Sequence, residues 1–166
     1  MALQFNADEI FSIAERIENN GARFYRRAAE RLMEPDVSNL LTDLAASEDE
    51  HKRIFTAMRE NIRKRGGLPP VEPPDSSEGF LKVWADGHIF RKFDDPLEKL
   101  TGDESVEDIL RIAIDIEKDS VLFYLGMKET LNDESDKSTI ERIIREEMDH
   151  YAAFSRRLAM LSGELN

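Results

Sequence analysis

The sequence predicts an all-α protein, an antiparallel four-helix bundle with a long crossover between its second and third helices. Three observations predict it. Four long segments carry apolar residues at helical spacing with charged residues between them, as helices that bury one face do. The first and last pairs of segments are joined by short connections, which makes each pair an antiparallel hairpin. The two halves of the chain also repeat one another at a single ungapped offset.

The first helix runs from about Asn6 to Met33. Asn6 is an N-cap, and Asp8 and Glu9 put negative charge where the helix dipole favours it. The second opens at Pro35, a good first helical position, and ends in Arg63, Lys64 and Arg65 before Gly66 and Gly67. The third begins near Ser105, whose SVED reads as a capping box closed by Asp108 in place of the usual Glu or Gln. The fourth runs from about Ser135 to a terminating Gly163.

Between the second and third helices lie 39 residues, Gly66 to Glu104, opening with GGLPPVEPPDSS. That run admits neither regular helix nor central strand. Helices of nearly 30 residues are about 40 Å long at about 1.5 Å per residue, so a crossover from one end of the bundle to the other needs this length. Within it, FLKVWADGHIF is expected to form a short helix that docks Phe80, Trp84 and Phe90 on the bundle, with His88 as a surface or docking residue. Residues 1–166 thus read as one domain, with hairpins at about 6–65 and 105–163 and a crossover at 66–104.

Composition narrows the function classes. Charged residues make up 35% and hydrophobic ones 40%, a mixture typical of a soluble helical protein. A net charge of −12 argues against nucleic acid or an anionic membrane as partner, since both need a basic face. The absence of cysteine removes disulfides, zinc ribbons, iron–sulfur clusters and thiol nucleophiles together. The start MALQFNADEI has no signal-peptide pattern, and no stretch approaches the roughly 18 apolar residues of a membrane span. A cytoplasmic location is expected.

The repeat is the strongest organisational signal. AERIENNGARFY (Ala14 to Tyr25) and AIDIEKDSVLFY (Ala113 to Tyr124) share Ala, Ile, Glu, Phe and Tyr. SEDEHKRIF (Ser47 to Phe55) and EEMDHYAAF (Glu146 to Phe154) share Glu, His and Phe. Both windows are displaced by 99 positions, as Glu18 is from Glu117, and the Glu-to-Glu interval within each hairpin is 30.

The repeated residues fall on the stripes a bundle buries. Those stripes read Phe11, Ala14, Glu18, Gly21, Tyr25 in the first helix and Leu44, Glu48, His51, Phe55 in the second. The third gives Leu110, Ala113, Glu117, Ser120, Tyr124 and the fourth Ile140, Ile143, Glu147, His150, Phe154. Four carboxylates converging in an apolar core are untenable alone, because a buried carboxylate is strongly destabilised or takes up a proton. No Lys or Arg occupies the facing stripe positions near that level. Two divalent cations would balance four negative charges, with two neutral imidazoles completing the shell. Glu and His at i and i+3 reach a common point on one helical face, and Glu18 and Glu117 are expected to bridge the ions. One Glu from each of two helices and Glu-x-x-His from each of the other two is a known carboxylate dimetal pattern. Hard oxygen donors with some nitrogen suit iron or manganese, and zinc would bind opportunistically. The metal set is therefore Glu18, Glu48, His51, Glu117, Glu147 and His150.

With these residues, ENNGARFYRRAAE in the first helix and EDEH in the second, the chain resembles the ferritin-like superfamily, and within it the rubrerythrin-like branch. The resemblance covers about Asn6 to Gly163 apart from the crossover. It implies a ferritin-like fold, a non-heme diiron site, reaction with hydrogen peroxide or dioxygen, and a homodimer. Two departures accompany it. Rubrerythrins proper carry a C-terminal rubredoxin domain, whereas this chain stops after Asn166 without a cysteine, so electrons are expected from a separate donor protein. Rubrerythrins also tend to have a further Glu one turn after the third-helix ligand; here that position is Ser120, and its mate is Gly21. The symmetric six-ligand shell that remains is similar to a bacterioferritin ferroxidase center.

Tyr25 and Tyr124 lie two turns from the ligand Glu residues, either as hydrogen-bonding or electron-carrying partners of the site or as core aromatics. Glu15, one turn before Glu18, is either an extra ligand or part of a solvated helix face, and Glu50 and Asp149 point away from the site. Three functions fit: a diiron peroxidase or oxidase, a ferroxidase that handles or stores iron, and a structural metal-bound bundle that binds a partner. Small residues beside the site, Gly21 and Ser120, leave space for a small oxidant and favor chemistry.

Overall fold

A computed structural model describes residues 6–67 and 95–164. Among them are four α-helices: α1 (Ala7–Arg31), α2 (Pro35–Lys64), α3 (Val106–Glu129) and α4 (Glu134–Leu161). A 3₁₀ turn, Pro96–Lys99, precedes α3. Packing is heaviest within each hairpin, α1 with α2 and α3 with α4, and much lighter between hairpins. None of these helices is long and apolar enough to cross a membrane. The expected crossover helix with Phe80, Trp84, His88 and Phe90 lies outside the described residues.

The termini of the helices follow from local chemistry. Asn6 caps α1 by accepting from Glu9 N at 2.9 Å while Glu9 Oε2 accepts from Asn6 N at 3.0 Å, a full capping box. Ser105 and Asp108 do the same for α3, at 3.1 and 3.0 Å. At α4 the cap is Asp133, which accepts from Ser135 N and Asp136 N, so the helix starts one residue earlier than expected. Gly67, with φ of 81°, closes α2 by donating to Ile62 O at 2.9 Å in a left-handed conformation that suits glycine.

The buried stripes divide into two apolar clusters along the bundle axis. One gathers Phe11, Ile17, Phe55, Met58, Tyr124 and Ile140. The other gathers Phe24, Tyr25, Leu41, Leu44, Leu110 and Phe154. Between them lies a single polar layer: Glu18, Glu48, His51, Glu117, Ser120 and Glu147, all buried, with His150 at its edge. Leu158 carries the α4 stripe past that layer, whereas Leu161 is exposed. Ion pairs brace the first hairpin from outside, where Arg59 of α2 meets Asp8 at 2.7 Å and Glu15 at 3.0 Å on α1.

Candidate metal centre

Each helix contributes to the polar layer from its buried stripe. The structure brings all six expected residues together in two overlapping groups, Glu18, Glu48, His51 and Glu147, and Glu48, Glu117, Glu147 and His150. Within each group the available ligand atoms lie within 4.8 Å of one another. Glu48 and Glu147 belong to both groups. The shared carboxylates are thus those of the two Glu-x-x-His pairs, and Glu18 and Glu117 stand at the outer ends, the reverse of the expected arrangement. The physical reason is that a Glu three residues before an inward-facing His shares its level. The single Glu residues come from the other two helices, and each is engaged by a tyrosine.

Those tyrosines cross between hairpins. Tyr25 of α1 donates its hydroxyl proton to Glu117 Oε1 of α3, and Tyr124 of α3 donates to Glu18 Oε1 of α1. All four side chains are fully or almost fully buried. The imidazoles lie between the carboxylates, their rings nearly parallel with centroids 6.0 Å apart. His51 Nδ1 is 2.9 Å from Glu147 Oε1 and 3.6 Å from Glu18 Oε2. His150 Nδ1 is 3.1 Å from Glu147 Oε2, 3.4 Å from Glu48 Oε1 and 3.7 Å from Glu117 Oε2. The outer nitrogen of His51, Nε2, meets Glu146 Oε2 at 2.6 Å.

The electrostatics are those of a cluster lacking counter-charge. Burial, and then the negative charges of Glu48 and Glu147, push the Glu18 carboxyl well above its ordinary range. Burial with Glu147 and Glu48 does the same to Glu117. Burial would lower the His51 and His150 values, but the surrounding carboxylates outweigh it and push both up to about 12. Glu147 goes the other way: burial opposes its ionisation, yet the rings of His150 and His51 beside it hold its carboxyl well below the usual range. Both tyrosine hydroxyls are pushed up by burial and by the adjacent carboxylates, so they remain protonated donors.

These donors fit metal ions. Glu18 Oε2, Glu48 Oε1, Glu147 Oε1 and His51 Nδ1 are buried without a hydrogen-bond partner among the described residues. Buried polar atoms are normally satisfied; the residues that carry these four atoms make up the first group, and two of them, Glu48 and Glu147, also belong to the second. Four oxygen-donor side chains and two imidazoles, with no thiolate, form a hard set that suits iron or manganese. Gly21 packs its backbone against the Glu48 side chain of α2, where a Cβ would just reach contact at 3.4 Å from Glu48 Oε2. A cavity of about 50 Å³ lies between α1 and α3, lined among others by Gly21, Ser120, Ile17 and Asp119.

Glu15 lies away from both groups and is held by Arg59, which resolves its two readings in favor of a helix-surface ion pair. Glu50 and Asp149 are exposed. The residue that sequence reasoning missed is Glu146. It precedes Glu147 and is half-exposed, so it lies off the buried stripe that guided the search. Its difference from Ser47, one repeat earlier, was the available signal.

Fold and site together define a class: ferritin-like four-helix bundles whose buried carboxylate–histidine cluster fits a diiron protein. The rubrerythrin family profile matches residues 9–159, and the chain belongs to the rubrerythrin family. Its fold is similar to that of a Thermotoga maritima protein whose crystal structure is described as that of a candidate ferritin-like diiron-carboxylate protein. The two share 24% identity with a TM-score of 0.68, over 94% of this chain and 96% of that one. At that identity the likeness speaks for the fold. No curated protein sequence matches this chain.

Proposed function

We propose that this chain is a non-heme diiron oxidoreductase that reacts with hydrogen peroxide or dioxygen. The observation that carries the proposal is the pair of overlapping four-residue groups sharing Glu48 and Glu147 inside a dry core. Glu18, Glu48, His51 and Glu147 would hold one ion, and Glu48, Glu117, Glu147 and His150 the other. When bound, iron supplies the one-electron steps that reduce an oxygen–oxygen bond. The protein's own residues bind, orient and exclude. Tyr25 and Tyr124 fix the outer carboxylates, each keeping its proton on the phenolic oxygen. The aromatic and aliphatic layers above and below keep bulk water out.

The cavity supports a small substrate. A water needs about 10–15 Å³ of such space, so the cavity of about 50 Å³ lined by Gly21 and Ser120, one helical turn from Glu18 and Glu117, has room for a molecule the size of peroxide or dioxygen. On this reading a separate donor protein would supply the electrons. Ferroxidase activity is the second reading. It is favored by Ser120 standing where rubrerythrins tend to have a further Glu, which leaves a symmetric six-residue set.

Iron bound per chain, measured as Fe(II) is added in air in increasing excess, separates the two. Saturation near two ions supports the redox enzyme, and the rates with peroxide and dioxygen then identify the oxidant. Uptake far beyond two in soluble protein means iron storage and overturns the proposal.

A further inference from the structure

The ligand set obeys the 99-residue repeat, but the support behind its two imidazoles does not. His51 turns Nδ1 inward and Nε2 outward, where Nε2 lies 2.6 Å from Glu146 Oε2. Glu146 belongs to α4 and His51 to α2, so this ring is held from across the bundle. The other oxygen of Glu146 lies 3.9 Å from Arg142 Nε, one turn back on α4. One repeat earlier, Glu146 becomes Ser47 and Arg142 becomes Asp43. A serine has neither the reach nor the charge of that carboxylate. The imidazoles also differ in burial: the His51 side chain is 1% exposed and that of His150 is 13%.

We propose that Glu146 is a positioning residue that makes the two metal positions unequal. The ion held by Glu18, Glu48, His51 and Glu147 then binds more tightly than the ion held with His150. This rests on the reading that the six residues hold two ions. A carboxylate behind an imidazole fixes the tautomer with its proton on the outer nitrogen, leaves the inner lone pair free for metal, and raises its basicity. Such partners typically alter metal affinity by about 10–100-fold. Ser47 supplies neither the charge nor the reach, and the more exposed His150 ring is open to competition from water.

The test is an anaerobic titration of the metal-free protein with Co(II), read by visible absorbance against a competing chelator. Wild type should bind two ions in two steps whose Kd values differ by about tenfold or more. Glu146→Ala should loosen the tighter step by about 10–100-fold and leave the weaker one in place, so that the steps merge. Glu146→Gln, which keeps an acceptor oxygen without the charge, should fall between. Glu146 is 42% exposed, so both variants keep their helices, which far-UV circular dichroism checks. If wild type binds two ions equally tightly, or if Glu146→Ala leaves the tighter step unchanged, the role given to Glu146 is overturned and the two-ion reading stands. If wild type binds fewer than two ions, the two-ion reading fails and takes the inequality with it.

Discussion

Glu147 lies where both imidazoles point, within 3.1 Å of a ring nitrogen on either side. Replacing it with Ala removes the one carboxylate that faces both His51 and His150, and we expect metal content per chain to fall from two ions to none. Glu18→Ala touches only one group and should leave one ion; elemental analysis after desalting reads both outcomes. Tyr25→Phe removes the donor to Glu117 and strands a buried carboxyl oxygen. Leaving a buried acceptor unsatisfied costs about 1–3 kcal/mol, and urea denaturation of the metal-free variant should show a loss of that order. At this scale the sequence was informative because the chemistry was conspicuous: a Glu or His on an otherwise apolar stripe stands out. Glu146 escaped because a residue on the edge of a stripe looks like any solvated Glu, and only its cross-helix partner reveals its use.

The helices were legible for the same reason at larger scale. Amphipathic periodicity, Pro35, the Ser105–Asp108 pair and the closing glycines each act within one or two turns, so sequence alone placed α2 and α3 within a residue or two. The start of α4 was less clear because Asn132, Asp133 and Ser135 are all competent caps, and backbone geometry decides among them. Side-chain pairing between helices was not legible even within a hairpin, since Arg59 reaching Asp8 depends on which faces meet. That contact yields a pH prediction. Hydrogen bonds from Arg59 and then Arg63 hold the Asp8 carboxyl well below its ordinary 3.8. A depressed folded value means stabilisation that is present above about pH 4 and lost as the pH falls through the lowered value. Asp8→Asn should therefore melt below wild type at pH 7 and converge with it below about pH 2. The gap at pH 7 should correspond to about 0.2–1 kcal/mol, because the pair is solvent-screened.

Across the whole molecule, metal and protons compete for the same cluster. The raised values of His51 and His150 stabilise the metal-free fold fully below about pH 6.5, and that contribution drains away as the pH rises toward about 12. Protonated Glu18 and Glu117 act in the same sense, since their raised values favor the fold at low pH. The melting temperature of the metal-free protein should thus fall between pH 7 and pH 10, while that of the metal-loaded protein should not. The two imidazolium protons leave when the cluster binds divalent ions, so proton release of at least about two per chain should accompany loading near neutral pH. Calorimetric titration in buffers of different ionisation enthalpy counts them. The same charge argument, read from the stripes, pointed to metal before any coordinates. What it could not supply was which carboxylates are shared, because that depends on the depth at which each helix presents its side chain.

The two hairpins are joined by the apolar side chains of both clusters, by surface ion pairs such as Arg65 with Asp136, and, in the layer between the clusters, by Tyr25 to Glu117, Tyr124 to Glu18, and His51 to Glu146 and Glu147. That layer is also the weakest point when empty, a plane of orphaned polar atoms between two oily halves. Loaded with metal, the bundle would behave as a clasp whose pin is ionic. Without ions, the cheapest large opening is a parting along the seam between hairpins, and amide hydrogen exchange should quicken together in all four helices near the layer. With ions in place the seam is pinned at its middle, and the same amides should fall into step with global unfolding.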